Sequence, residues 1–267
     1  MIFKEACPFE MELEAPVRLL IVLLLVPLLN GCASRPGAQH GTSVLFVGNS
    51  LTYTNNLPAV FSALAEANGQ RVSVEMLVAG GATLSEFLEN HAFKTLTSGA
   101  RYHSIVLQEK GGVLSCYEFS SQLQEECSNS RSAHLEMANM IRGMGARSVL
   151  LGTYQLQHLA ASERLQANEA AVACASNIDK YLRLSELVQK GRKEAPSLNW
   201  LHPDGGHPGE DLTLLMAVLI YHGVFEEWPT ARDFGFESQV YDPNTHFEPD
   251  EFARNQSTKE GLNKSLV

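Results

Sequence analysis

The sequence predicts an α/β protein, a three-layer α/β/α sandwich on about five parallel strands. Three observations carry this. From Val44 onward, short apolar runs of strand length alternate with longer segments of helical period. The runs are apolar at successive positions, as strands covered by helices on both faces must be. The 267 residues, 45% hydrophobic and 19% charged, are enough for one such domain and ordinary in composition.

The elements follow in order. Val44–Val47 is the first apolar run, ended by Gly48-Asn49-Ser50. In residues 55–69, Leu57, Val60, Phe61 and Leu64 fall at helical spacing before Gly69 stops the pattern. Residues 71–79 are β-branched and predict the second strand. Residues 83–96 read as one helix, with Leu84, Phe87, Leu88 and Leu96 on one side. A third strand is expected at 104–108, a loop at 108–130, a helix at 132–145 and a fourth strand at 147–154. The alanine-rich stretch 157–176 predicts a helix, 180–184 a fifth strand and 211–225 the last strong helix. Beyond Pro229 the pattern fades. Packing by Trp228, Phe234 and Phe236 is expected, then a partly disordered extension over 229–267.

The chain before Val44 reads differently. Residues 1–31 hold a short apolar run interrupted by Pro27 and followed by small residues, the pattern of a secretory signal rather than a membrane span. Its ending, Leu29-Asn30-Gly31-Cys32, resembles a bacterial lipobox, which implies that Cys32 carries lipid. Residues 32–43 then form a polar tether, and the folded domain spans 44–228. The expected place is the cell envelope, on the periplasmic side of a bacterial membrane as a lipoprotein, or secreted. In that oxidising setting Cys116 and Cys127 are placed to close a short loop, and Cys174 reads as a buried free thiol. The formal net charge of -10 disfavours nucleic acid as a partner.

Open parallel sheets bind ligands beyond the carboxyl ends of their strands. Ser50 stands there after the first strand. Asp204 and His207, three apart in the Gly/Pro-rich "HPDGGHPG", stand before the last helix. A serine hydroxyl is a weak nucleophile at neutral pH. It needs a base within hydrogen-bond reach, and the base needs an orienting group. An aspartate three residues before a histidine can hold one imidazole nitrogen and leave the other for the serine. His202, Asp204 and His207 are also three metal-ligand types in one turn, but no further ligand cluster accompanies them, so no metal is expected. No G-x-S-x-G is present, because Leu51 and Thr52 follow Ser50. P-loop and dinucleotide fingerprints are also absent.

"GNSL" at 48–51, Gly80, Gly81 and Thr83, and "DGGHP" at 204–208 together resemble the blocks of the SGNH (GDSL-like) hydrolases over roughly residues 44–225. The resemblance implies a flavodoxin-like fold and hydrolysis of esters without a cofactor. It makes Ser50 the nucleophile, His207 the base and Asp204 the orienting acid. The oxyanion hole it implies comes from the N–H of Ser50, the N–H of Gly81 (or of Gly80) and a side-chain amide after the third strand. This chain lacks the family's G-x-N-D block there, and Gln108 is the amide in the matching place. The expected activity is that of an acyl esterase on a small-molecule or glycan ester. A carbohydrate O-deacetylase and a non-catalytic ligand-binding lipoprotein of the same fold are the alternatives.

Overall fold

The computed structural model describes residues 41–117, 120–155, 159–230, 233–247, 252–254 and 261–265. The chain divides into units Met1–His40 and Gly41–Val267. The first lies outside the described residues, and with it the expected signal segment, Cys32 and most of the tether.

The order of the first two-thirds is β1 (Thr42–Gly48), α1 (Ser50–Tyr53), α2 (Leu57–Ala67), β2 (Val72–Val78), α3 (Leu84–Glu89), α4 (Ala92–Thr97), β3 (Ser104–Leu107), α5 (Ser121–Gly143) and β4 (Arg147–Leu151). There follow α6 (Leu159–Ala175), β5 (Lys180–Leu182), α7 (Ser185–Glu194), α8 (Glu210–Phe225), β6 (Asp233–Glu237), β7 (Phe252–Arg254) and β8 (Gly261–Ser265). The main sheet has the order β5-β4-β3-β1-β2-β7. Its first five members are parallel. Helices α2 and α8 pack together on one face, and α5 packs with α3 and α6 on the other. This is the expected sandwich.

Strand β1 lies at its centre. Val44, Leu45, Phe46 and Val47 are all fully buried. Phe46 meets Phe61 of α2 edge to face at 5.6 Å, fixing the helix over the strand. The strand order reverses beside β1: the chain moves to β2 on one side, then returns to β3 on the other. Such a reversal leaves a crevice between the loops after β1 and β3. Ser50 and Gln108 follow these two strands.

Several elements differ from expectation. The helix expected at 83–96 is two helices, α3 and α4. His91 breaks it with a φ of +60°, and the Asn90 side chain accepts from the Ala92 N–H at 2.9 Å. Helix α5 starts eleven residues earlier than the expected 132 and takes up residues 121–130 of the loop placed at 108–130. Its opening turns bury Cys127 and Ser130 rather than aliphatic residues, so they carry no hydrophobic period. Helix α7 has no sequence signal beyond Leu187 and the buried Val188. No element was expected beyond Pro229, yet among the described residues three short strands occur there: β7 adds antiparallel to β2, and β6 pairs with β8. Phe234 is buried as expected, whereas Trp228 is 53% exposed and stacks on His222 at 4.1 Å.

Cys116 and Cys127 are disulfide-bonded with Cα atoms 5.3 Å apart, joining the segment after β3 to α5. Cys174, expected to be buried, is half-buried. Among the described residues, no helix is long and apolar enough to cross a membrane.

Candidate active site

Ser50 is the first residue of α1 and is 9% exposed. The turn before it is fixed by Asn49, whose Oδ1 accepts from the Leu51 N–H at 3.1 Å. The same side chain donates from Nδ2 to the Ala82 carbonyl at 3.1 Å, tying the loop after β1 to the loop after β2. An amide does this better than a carboxylate, because it both accepts and donates. Gly48 is required for a separate reason. A Cβ there would collide with Thr52 Oγ1, the hydroxyl that donates to Gln108 Oε1 at 2.8 Å.

The loop after β2 carries Ala79-Gly80-Gly81-Ala82. Gly81 has a φ of +68°, which glycine adopts without strain. Thr83 then caps α3 in a reciprocal box with Glu86. After β3, Gln108 is almost fully buried. Its Nε2 finds no hydrogen-bond partner among the described residues. A buried amide donor without an acceptor costs roughly 1–3 kcal/mol, which a bound oxygen would recover.

The turn before α8 brings the remaining groups to Ser50. His207 Nε2 lies 2.8 Å from Ser50 Oγ. His207 Nδ1 lies 2.7 Å from Asp204 Oδ2. Asp204 Oδ1 accepts from the backbone N–H of Gly206 at 2.8 Å and of His207 at 3.0 Å. Partial burial works against the Asp204 charge. The two backbone N–H groups and the His207 imidazole outweigh it and hold the carboxyl well below its ordinary value. Asp204 therefore stays ionised beside His207, and an ionised Asp204 accepts from Nδ1. That leaves Nε2 as the nitrogen able to accept from the serine.

Two residues around this turn carried no such role in the sequence. His202, which read as a metal-ligand type, has Nδ1 3.1 Å from the same Asp204 Oδ2 and Nε2 3.9 Å from Asp242. Tyr154, in the loop after β4, donates its hydroxyl to the Gly206 carbonyl at 2.9 Å. Burial, then the nearby Asp204 charge, push its phenol far above the ordinary value, so it remains a donor. Among the described residues, no three His, Cys, Asp or Glu side chains are grouped to hold a metal ion.

No family model matches the chain, and no curated protein matches it. Solved structures do resemble it. A candidate SGNH hydrolase from Slackia heliotrinireducens aligns with a TM-score of 0.54 at 21% identity, covering 68% of this chain and 98% of that one. Axe2, an acetylxylan esterase from Geobacillus stearothermophilus, aligns at 0.56 and 13% identity, covering 72% and 99%. A DUF4886 family protein from Bacteroides uniformis aligns at 0.53 and 14%, covering 70% and 84%. The chain thus has the fold of SGNH hydrolases and acetylxylan esterases.

Proposed function

We propose that the protein is a serine ester hydrolase acting through an acyl-enzyme. The observation that carries this reading is the position of His207, within 2.8 Å of Ser50 Oγ on one side and 2.7 Å of Asp204 Oδ2 on the other. Such a chain of serine, imidazole and carboxylate is the arrangement that activates a hydroxyl.

The reaction follows from these groups. Ser50 Oγ attacks the acyl carbonyl while His207 Nε2 takes its proton, and Asp204 balances the imidazolium. The carbonyl oxygen gains negative charge in the tetrahedral intermediate. The N–H groups of Ser50 and Gly81 and the Nε2 of Gln108 are its donors. The Ser50 N–H opens α1, where helical backbone has no acceptor of its own. The imidazolium returns its proton to the leaving alcohol, and an acyl-serine remains. Water then gives its proton to His207 and attacks the acyl carbon. The free acid leaves and Ser50 recovers its proton. No cofactor enters these steps.

A carbohydrate O-deacetylase is the second reading, favoured by the likeness to an acetylxylan esterase. It uses the same atoms on an acetylated sugar. An envelope location through lipid on Cys32 fits either reading, since such a glycan ester would then be within reach.

The test is fluorophosphonate labelling followed by peptide mass spectrometry. The expected adduct is on Ser50, and it disappears in Ser50→Ala and in His207→Ala. A folded wild-type domain that takes no label defeats the proposal and favours a ligand-binding protein of this fold.

A further inference from the structure

Glu109 follows Gln108 directly and is 1% exposed. A carboxylate so buried is costly unless every lone pair finds a donor. Its donors come from three separate segments. Oε1 accepts from the backbone N–H of Leu84 at 3.2 Å and of Lys110 at 2.8 Å. Oε2 accepts from Ser130 Oγ at 2.6 Å. The buried His134, whose Nδ1 donates to the Ser130 carbonyl at 2.7 Å, stands with that nitrogen 4.0 Å from Oε2.

The placement of these donors is informative. Leu84 opens α3, directly after the loop that carries Gly80 and Gly81. Lys110 lies in the loop that carries Gln108, and Ser130 and His134 belong to α5. One carboxylate therefore fastens the glycine loop after β2 to the glutamine loop after β3, with α5 as a backstop. Asn49 already joins the loop after β1 to Ala82. The three loops assigned to the oxyanion donors are thus cross-linked by two buried side chains.

We propose that Glu109 is a positioning residue for the oxyanion hole, setting the distance between the Gly81 N–H and the Gln108 amide without touching substrate. The proposal rests on the reading of this site as an ester hydrolase. It follows from electrostatic preorganisation: donors stabilise a developing charge only if they are already aimed at it. A shift of one loop against the other weakens the intermediate more than the bound ester. The loss therefore falls on kcat rather than KM.

The experiment compares wild type, Glu109→Gln, Glu109→Ala, Ser130→Ala and Ser50→Ala with p-nitrophenyl acetate. Rates are expressed per active site titrated by fluorophosphonate, so misfolded molecules are not counted; for Ser50→Ala, which takes no label, they are expressed per molecule of folded protein. Glu109→Gln keeps the Oε1 acceptor, and kcat per site should fall by about 10-fold or less. Glu109→Ala frees the two loops, and kcat should fall by about 100-fold with KM changed less than threefold. Ser130→Ala should fall between wild type and Glu109→Ala. It keeps the test open should the alanine variant at 109 not fold. Values of kcat per site within twofold of wild type in every soluble Glu109 and Ser130 variant, while Ser50→Ala is inactive, would overturn the positioning role alone. Turnover that survives in Ser50→Ala, or a wild-type chain that neither labels nor turns over, would overturn the hydrolase reading and this proposal with it.

Discussion

The two halves of the site are held in place by different forces. Ser50 stands at the end of a strand buried on both faces, and its neighbours Asn49 and Thr52 are 1% and 2% exposed. Its position is set by close packing, which costs much to disturb. The side chains of Asp204 and His207 are 37% and 29% exposed and belong to a glycine-rich turn with little apolar contact. Polar bonds hold that turn: the His202 N–H to the His207 carbonyl at 2.9 Å, two backbone N–H groups to Asp204 Oδ1, and the Tyr154 hydroxyl to Gly206. Mutations on the serine side should therefore mix stability with activity. Those on the histidine side should separate the two.

Asp204→Asn tests the histidine side and should have the largest effect. The amide oxygen still accepts the two backbone N–H groups, so the turn should persist, with the melting temperature at pH 7 lowered only by the lost charge contribution. The orienting charge is gone, and kcat should fall by about 1,000- to 10,000-fold. An acid melting series adds a second readout. The folded value of Asp204 is depressed, so its stabilisation is present above the unfolded carboxyl value of 3.8 and is lost as pH falls below it. The asparagine variant should lose less stability over that acid range. An asparagine variant that no longer folds at pH 7 would break the contrast.

Gln108→Ala tests the strand side. Loss of one oxyanion donor typically costs about 100- to 1,000-fold in turnover. It also removes the acceptor of the Thr52 hydroxyl, a loss of stability that relief of the unpaired Nε2 offsets in part. A turnover loss below about 10-fold would assign the oxyanion to backbone N–H groups alone.

Glu169→Gln should have the smallest effect and should sharpen the contrast from below. Glu169 is buried beneath the loop that carries Tyr154. It accepts from the Thr153 N–H at 2.7 Å and from the Tyr181 hydroxyl at 2.8 Å. Burial pushes its carboxyl up to about 7, against the pull of those hydrogen bonds. A raised carboxyl means that the folded state keeps its proton after the unfolded chain has released one. Glu169 therefore takes stability away as pH rises from about 4.5 to about 7. The melting temperature of the glutamine variant relative to wild type should climb across that window. A constant difference would place the titration of Glu169 elsewhere.

The sequence made the strand half of this comparison legible. A continuous apolar run ended by Gly48-Asn49-Ser50 leaves few options for where the serine stands, and the alternation of elements fixes the edge of the sheet. The Asp204–His207 pair was legible because its spacing is local. Partnerships across long separations were not. Tyr154 and Gly206 are 52 residues apart, and Glu109 reaches both Leu84 and Ser130. A buried glutamate in sequence looks like any other glutamate until the donors around it are known. The first turns of α5 were missed for a related reason. Their buried face holds Cys127 and Ser130, serving a disulfide and a hydrogen bond rather than an apolar contact. His202 was read as a metal-ligand type because imidazoles near a carboxylate have the same composition whether an ion or a proton lies between them.

Ser50 and His207 meet across 157 residues of chain. During synthesis at about 5–20 residues per second, the serine leaves the ribosome on the order of ten seconds or more before its imidazole. Throughout that interval the hydroxyl is an ordinary alcohol. The Ser50–His207 contact, and any reactivity that depends on it, can form only once the histidine turn has been made and has reached the end of the strand.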